Sequence, residues 1–297
     1  MRIRPATERD VPDLVRIKDQ ATSGPGWDHP AARVGWLEAR PDPSEPDGAP
    51  GDPAIAHLIR TGAVVMATVG ARVVGFASAT RREDVWFLSQ LFVGPSDQSA
   101  GAGARLLDTL LADDAASSAR VRAVIASGDP RAFGLYLSRG LLPRWQMLEM
   151  APRADATPGA LPEPSVDQLG AADAAGLDAL DRATRGFARP ADHALFTAIG
   201  RGFALRDRGG LAGYLYVRDG GRCGPIAARD GRWFRRALDA ALALAGETAW
   251  MPIPSADAVA VRHLLARGLR PRRSATFCAD GALGPFRNCV LAGGMLP

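Results

Sequence analysis

The strongest constraint on this fold is internal. Residues 127–144 (SGDPRAFGLYLSRGLLPR) and 255–272 (SADAVAVRHLLARGLRPR) align without a gap at an offset of 128, and half of the positions are identical. A chain that repeats itself in one register folds as two related halves. In each copy an aspartate (Asp129, Asp257) stands where a carboxylate caps a short helix. A small residue (Ala132, Ala260) packs its inner face, and a glycine (Gly140, Gly268) ends it. Further echoes flank this core: 171–183 (AADAAGLDALDRA) repeats the pattern of 8–20 (ERDVPDLVRIKDQ), and 209–217 (GGLAGYLYV) that of 71–79 (ARVVGFASA).

Periodicity in the first half gives a helix over 8–21, a short helix over 53–62 and strands over 63–70, 72–80 and 85–93. A helix over 103–116, a strand over 120–126, a short helix over 129–140 and a strand over 143–151 follow. The order α, α, βββ, α, β, α, β implies an α/β fold with a mixed (α+β) sheet carrying helices on its faces. Two proline-rich stretches interrupt the pattern, 41–53 and 151–164. The second divides the chain into an expected domain 1–150, a linker 151–164 and a domain 165–297; the first reads as a long surface loop.

The 297 residues suffice for two ordinary domains with real cores. No apolar run is long enough to span a membrane and no secretion signal is evident at the start, so a cytoplasmic protein, monomer or homodimer, is expected. Three cysteines, none closely spaced, give neither a disulfide framework nor a thiolate metal site, and no metal is expected. The net charge of +4 is scattered among 32 acidic residues, and 35 of the 36 basic residues are arginine. That skew fits genome composition better than a nucleic-acid-binding face, which is not expected.

One stretch carries chemistry. FVGPSDQSAGAGARLLD (92–108) leads an apolar strand through glycines into a leucine-periodic helix. Bare backbone beside the open N–H groups of a helix start favours an anion, above all phosphate. A dinucleotide fingerprint needs a third glycine, and a P-loop needs Gly-Lys-Ser/Thr; neither is present. No nucleophile elbow or zinc motif appears, and the four histidines are scattered.

The pattern Gln98-x-x-Gly101-x-Gly103 resembles the acyl-CoA pyrophosphate loop of the GNAT N-acetyltransferase superfamily, and 129–142 resembles that family's later Asn-x-x-Ala-x-x-x-Tyr-x-x-x-Gly-Phe motif. The resemblance spans most of residues 1–150 and implies two tandem GNAT-like domains, similar to tandem-GNAT proteins of the mycothiol synthase type. It implies an N-acetyltransferase that moves an acetyl group from acetyl-CoA, its cosubstrate, to a primary amine of a small molecule or peptide. The alternative is a non-catalytic acyl-CoA-binding regulator or scaffold.

By the same resemblance, main-chain groups of Leu91, Phe92 and Val93 pair with the pantetheine arm. The amides of Gln98, Ser99, Ala100, Gly101, Ala102, Gly103 and Ala104 hold the pyrophosphate, with Asp129 and Ala132 beside the cofactor. Ser99 and Ala100 depart from the glycine and basic residue common there. Tyr136 is the implied acid for the departing thiolate, and Glu83 (with Asp84) stands where a carboxylate base is often found. The same residues also read as core aromatic and solvated hairpin end, with relayed water as the other base. His193 could reach across between the halves or be structural. Trp27 and Trp36 could face the acceptor or simply pack. In the second half the counterpart of Tyr136 is Leu264, and GPIAARDGRWF lacks paired glycines, so that copy is expected to be degenerate and without a CoA loop.

Overall fold

The computed structural model describes residues 1–22, 52–152 and 165–296. Trp27 and Trp36 lie outside them. The first half runs β1 (Arg2–Pro5), α1 (Val11–Thr22), α2 (Pro53–Thr61), β2 (Gly62–Val69), β3 (Arg72–Arg82), β4 (Val85–Val93), α3 (Ala102–Leu111), α4 (Asp114–Ser117), β5 (Val121–Ala126), α5 (Pro130–Leu137) and β6 (Leu142–Pro152). The second half repeats this plan. It comprises β7 (Asp167–Gln168), α6 (Ala174–Arg185), α7 (Pro190–Ala198), β8 (Arg201–Asp207), β9 (Gly210–Val217), β10 (Cys223–Ala228), α8 (Gly231–Ala245), β11 (Met251–Pro254), α9 (Ala258–Ala266), β12 (Leu269–Ala279) and β13 (Cys289–Val290). Two elements of the first half depart from expectation. β1 has too few apolar residues to be read as a strand and forms by pairing along β2. α3 stops at Leu111 because the Asp113 side chain accepts from Ala115 N–H and starts a separate turn.

The two halves interlock through exchanged strands. One sheet has the order β1-β2-β3-β4-β5-β12-β6-β11, so β12 of the second half lies between β5 and β6 of the first. Reciprocally, β6 lies between β11 and β12. Met147 pairs with Ala275, its own counterpart at the 128-residue offset, so a local dyad passes through that pair. The register shifts on either side of it skip Arg144 and Arg272, which are also counterparts. The sequence repeat is thus a structural symmetry, and each half takes a central strand from the other. β6, the last strand before the expected linker, pairs with both β11 and β12 of the second half.

Helices cover both faces. α1, α2, α6 and α7 share one core cluster, into which Leu14, Ile17, Leu58, Leu180 and Phe196 project. On the opposite face α3 buries Leu106, Leu107 and Leu110, and α8 buries Phe234, Leu238 and Ala241. Burying each leucine contributes about 1.5–3 kcal/mol, which is what holds these amphipathic helices to the sheet.

The first face also buries charge. Asp192 on α7 accepts from Arg82 on β3 and pairs with His57 on α2 at 2.8 Å, joining the halves. Nearby, Asp181 is enclosed by Arg185, Arg189, His193 and Tyr214. His193 is therefore held within this network, with Tyr216 on its other ring nitrogen at 3.1 Å.

Candidate active site

β4 and β5 run parallel and paired from Val85↔Val121 to Leu88↔Val124. There a register shift in the β3–β4 ladder leaves Ser89 as an extra residue, since Ala79 pairs with Leu88 but Ser78 with Gln90. A bulge bends its strand and adds twist. Beyond it β4 continues to Val93 and β5 to Ala126 without pairing each other. The β5-facing edge of Leu91, Phe92 and Val93 therefore lines a gap, while their other edge stays on β3 through Gly75↔Val93. Extended backbone with unpaired groups along such a gap can take up a further amide-bearing chain.

After β4 the chain makes one tight turn (Pro95–Asp97) tied by Gly94 N–H to the Val74 carbonyl, and by Arg72 to Asp97 at 2.6 Å. The Gln98 side chain turns back and donates to the Val93 carbonyl at 3.1 Å, fixing the loop to the strand end. Gly101 adopts φ +79 at the position preceding α3, and no side chain caps the helix. The first intrahelical bond is Arg105 N–H to Gly101 O, so the amides of Ala102, Gly103 and Ala104 point outward. Three open donors and the positive end of the helix dipole would suit an anion without a cation. Ser99 also lies in the left-handed region, at φ 65. The glycine departure noted in the sequence thus costs some backbone strain there, about 1–2 kcal/mol.

Around Gly101 there is open space, so Gly101→Val introduces backbone strain and no steric clash. If this loop holds the acetyl-CoA pyrophosphate, as the sequence resemblance implies, the change weakens acetyl-CoA binding about tenfold or more while the protein still folds, measured by calorimetry and thermal melting. Unchanged affinity would place the pyrophosphate elsewhere.

The later motif converges on this loop. A Cβ placed on Gly103 would lie 3.7 Å from Val93 and 4.0 Å from Leu135 of α5. On α5, Tyr136 is buried in the cluster with Leu106, Leu107, Ala126 and Cys278. Burial pushes its phenol above the ordinary value, with Asp129 and Cys278 adding to the shift. Its hydroxyl makes no hydrogen bond to a described residue and is not among the fully enclosed, unpartnered polar atoms. Asp129 caps α5 through Arg131 N–H and pairs with the Arg131 guanidinium at 2.9 Å, which keeps its carboxyl pKa low. That carboxylate is occupied as a cap, and Ala132 packs under the helix.

The structure does not bring Glu83 to this gap. Glu83 sits at φ 53 in the turn that enters β4, with Arg182 of α6 on its carboxylate at 2.7 Å. The gap opens six residues further along the strand, roughly 20 Å away at the rise of extended chain. Asp84 is likewise held by Arg120 in an ion pair. RRED thus lies at the turn between β3 and β4, with both carboxylates in ion pairs. What the sequence reading missed are Ser89 and Gln90, two polar residues inside the apolar run VWFLSQLFV. Both are buried. Gln90 accepts from Ser78 and contacts Met295, while the Ser89 hydroxyl has no partner among the described residues.

The second copy differs at each of these points. The N-terminus of α8 is capped by Asp230, which accepts from Arg232 and Trp233 N–H. A carboxylate already occupies the place an anion would need. The residues just before β10 and β11 meet in one bridge, Arg222↔Trp250, and β13 lies between the two strands beyond it. That strand pairs with Ile226 and Ala227 on one side and donates from Leu291 N–H to the Pro252 carbonyl on the other. The chain's own backbone thus lies where the first copy leaves its gap.

Residues 30–141 match the model of the acetyltransferase (GNAT) family. The chain is similar in fold to a putative acetyltransferase from Pyrococcus horikoshii, with TM-score 0.76 and 16% identity over 99% of this chain and 95% of that one. It also resembles a tandem GNAT protein from the clavulanic acid biosynthesis pathway (TM-score 0.56, 17% identity, 95% and 99% covered). A GCN5-related N-acetyltransferase from Sphaerobacter thermophilus aligns with TM-score 0.56 at 15% identity, covering 94% of each chain. No curated protein matches in sequence.

Proposed function

We propose, from the premise that this chain carries a GNAT acetyltransferase-family domain within a tandem GNAT-like fold, that it transfers an acetyl group from acetyl-CoA to a primary amine by direct attack. Acyl transfer is the reaction class that the family match supports. The observation that carries the finer reading is the convergence of an uncapped helix start, an unpaired strand edge and the Tyr136 helix on one gap.

In this reading the pyrophosphate rests on amides of residues 98–104, and the helix dipole favours its charge. The pantetheine arm adds along the β5-facing edge of Leu91, Phe92 and Val93 as a further strand, the Val93 carbonyl being already taken by Gln98. The amine nitrogen attacks the thioester carbonyl carbon and its proton passes to water relayed along backbone carbonyls. The C–S bond then breaks, and the Tyr136 hydroxyl gives its proton to the departing thiolate, recovering one from solvent. A phenol raised above its ordinary pKa stays protonated at neutral pH, so its proton is present when the thiolate departs, although burial makes it a weaker acid.

The capped α8 and the strand in the second gap support one cofactor site per chain, with the second half serving as scaffold and wall. Calorimetry with acetyl-CoA is expected to give one site per chain, and a thiol-release assay with an amine panel to give turnover. Two sites would contradict a degenerate second copy. Binding without turnover on any amine would favour the regulator, and no binding would refute both.

A further inference from the structure

A second polar cluster lies where β9 hands over to β10, outside the machinery above. Arg218, immediately after β9, and Arg222, immediately before β10, are both buried and joined by a backbone bond, Arg218 N–H to Arg222 O at 2.9 Å. Neither makes an ion pair with a described carboxylate. Arg222 lies over the Trp250 ring at 4.8 Å and donates to the Ala292 carbonyl, yet its Nε has no partner. The Arg218 guanidinium makes no hydrogen bond to a described residue at all, and its Nε is enclosed. The indole N–H of Trp250 is unpartnered too. A buried guanidinium without an acceptor is costly, because it has given up water and gained no hydrogen bond in return.

Backbone has made room for both. A Cβ at Gly200 would come within 2.8 Å of Arg218 Cγ, and one at Gly293, φ +136, would fall on the Arg222 guanidinium. The cluster is linked to α1 and to β4 from two directions. Asp52, which caps α2 and pairs with Lys18 of α1 at 2.6 Å, acts electrostatically on Arg218. From Gly293, two residues of chain lead to Met295 against Gln90 on β4. Glu149 on β6 acts electrostatically on Arg222, and burial raises its carboxyl pKa. Burial pushes Arg222 down to about 9, with Arg218 contributing. Propping up the C-terminal segment accounts for Arg222 but leaves Arg218 without a purpose.

We infer that Arg218 and Arg222 form an anion-recognition subsite for the acceptor, so that the amine acetylated at the gap belongs to a molecule that also carries a carboxylate or phosphate. This rests on the acetyltransferase reading. The Arg218 terminal nitrogens, which are not among the enclosed atoms and make no hydrogen bond to a described residue, match the oxygens of either group, and Arg222 adds a second positive charge nearby.

The test uses the full chain loaded with CoA and four probes in matched pairs: lysine with lysinamide, and phosphoethanolamine with ethanolamine. Binding is read by calorimetry or ligand-observed NMR at millimolar concentration. One acidic member is expected to bind at least tenfold more tightly than its neutral partner, and which pair shows it separates carboxylate from phosphate. Arg218→Met, which keeps the aliphatic stem, is expected to remove that preference, a tenfold to hundredfold loss by the worth of a charged hydrogen bond. Arg218→Lys should restore part of it, while acetyl-CoA affinity and melting temperature stay at wild-type values. Equal binding of acidic and neutral members, no binding by either acid, or a preference that survives in Arg218→Met would overturn the inference. Loss of CoA binding itself would instead strike the acetyltransferase reading.

Discussion

Tyr136→Phe is expected to lower kcat for acetyl transfer by about 10²- to 10⁴-fold, the usual worth of a positioned general acid, with little change in acetyl-CoA affinity. The reasoning starts from what the hydroxyl touches. It makes no hydrogen bond to a described residue, while the ring is packed among Leu106, Leu107 and Ala126. Removing the oxygen therefore leaves the packing intact, and the melting temperature should stay within about a degree, as for a substitution that breaks no contact. An aromatic that served only the core would give the same melting temperature with undiminished turnover. The pH profile adds an independent check. Burial raises this phenol above its ordinary value near 10, so no loss of kcat from Tyr136 ionisation is expected between pH 7 and 10. A basic limb inside that window would have to come from another group.

Asp192→Asn is expected to lower the melting temperature by roughly 5–15 °C, from the 3–5 kcal/mol that breaking a buried ion pair costs in a protein of this size. Burial alone would raise this carboxyl's pKa, but hydrogen bonds from His57 and Arg82 outweigh that and hold it below its ordinary value. A depressed folded pKa makes the contribution complete above the unfolded value near 4, and it fades as pH falls through the lower folded one. The difference between wild type and Asp192→Asn should therefore be full at neutral pH and shrink below about pH 4. Because Asp192 lies on α7 while His57 and Arg82 lie on α2 and β3, a cooperative single transition in both proteins is expected. Two separated transitions in the variant would mean that the halves are joined mainly by this pair, and not by the exchanged strands.

The repeat at offset 128 carried most of the fold, since a match in one register implies matching elements. The strands of residues 62–93 were legible because β-branched and apolar runs there are bounded by glycine and charge. Strand exchange was not legible. β6 and β12 have the same pattern whichever half they join, and only the pairing of Met147 with Ala275 tells which. β13 is two residues long, too short for periodicity to register, although its place in the second gap matters to function. At the candidate site, Gly101 and Tyr136 stood out in the sequence because the proposed chemistry demands those residue types. Glu83 was misplaced because its nearness to β4 in sequence said nothing about which end of the strand holds the gap. Arg218 and Arg222 were lost among 35 arginines, where only burial without a partner distinguishes them.

The most direct measurement is a crystal structure of the chain with CoA. The account predicts one CoA per chain, its pyrophosphate on the amides of residues 98–104, its pantetheine along Leu91, Phe92 and Val93, and its sulfur within hydrogen-bonding reach of the Tyr136 hydroxyl. CoA bound at the Asp230 end of α8, or a sulfur remote from Tyr136, would contradict it.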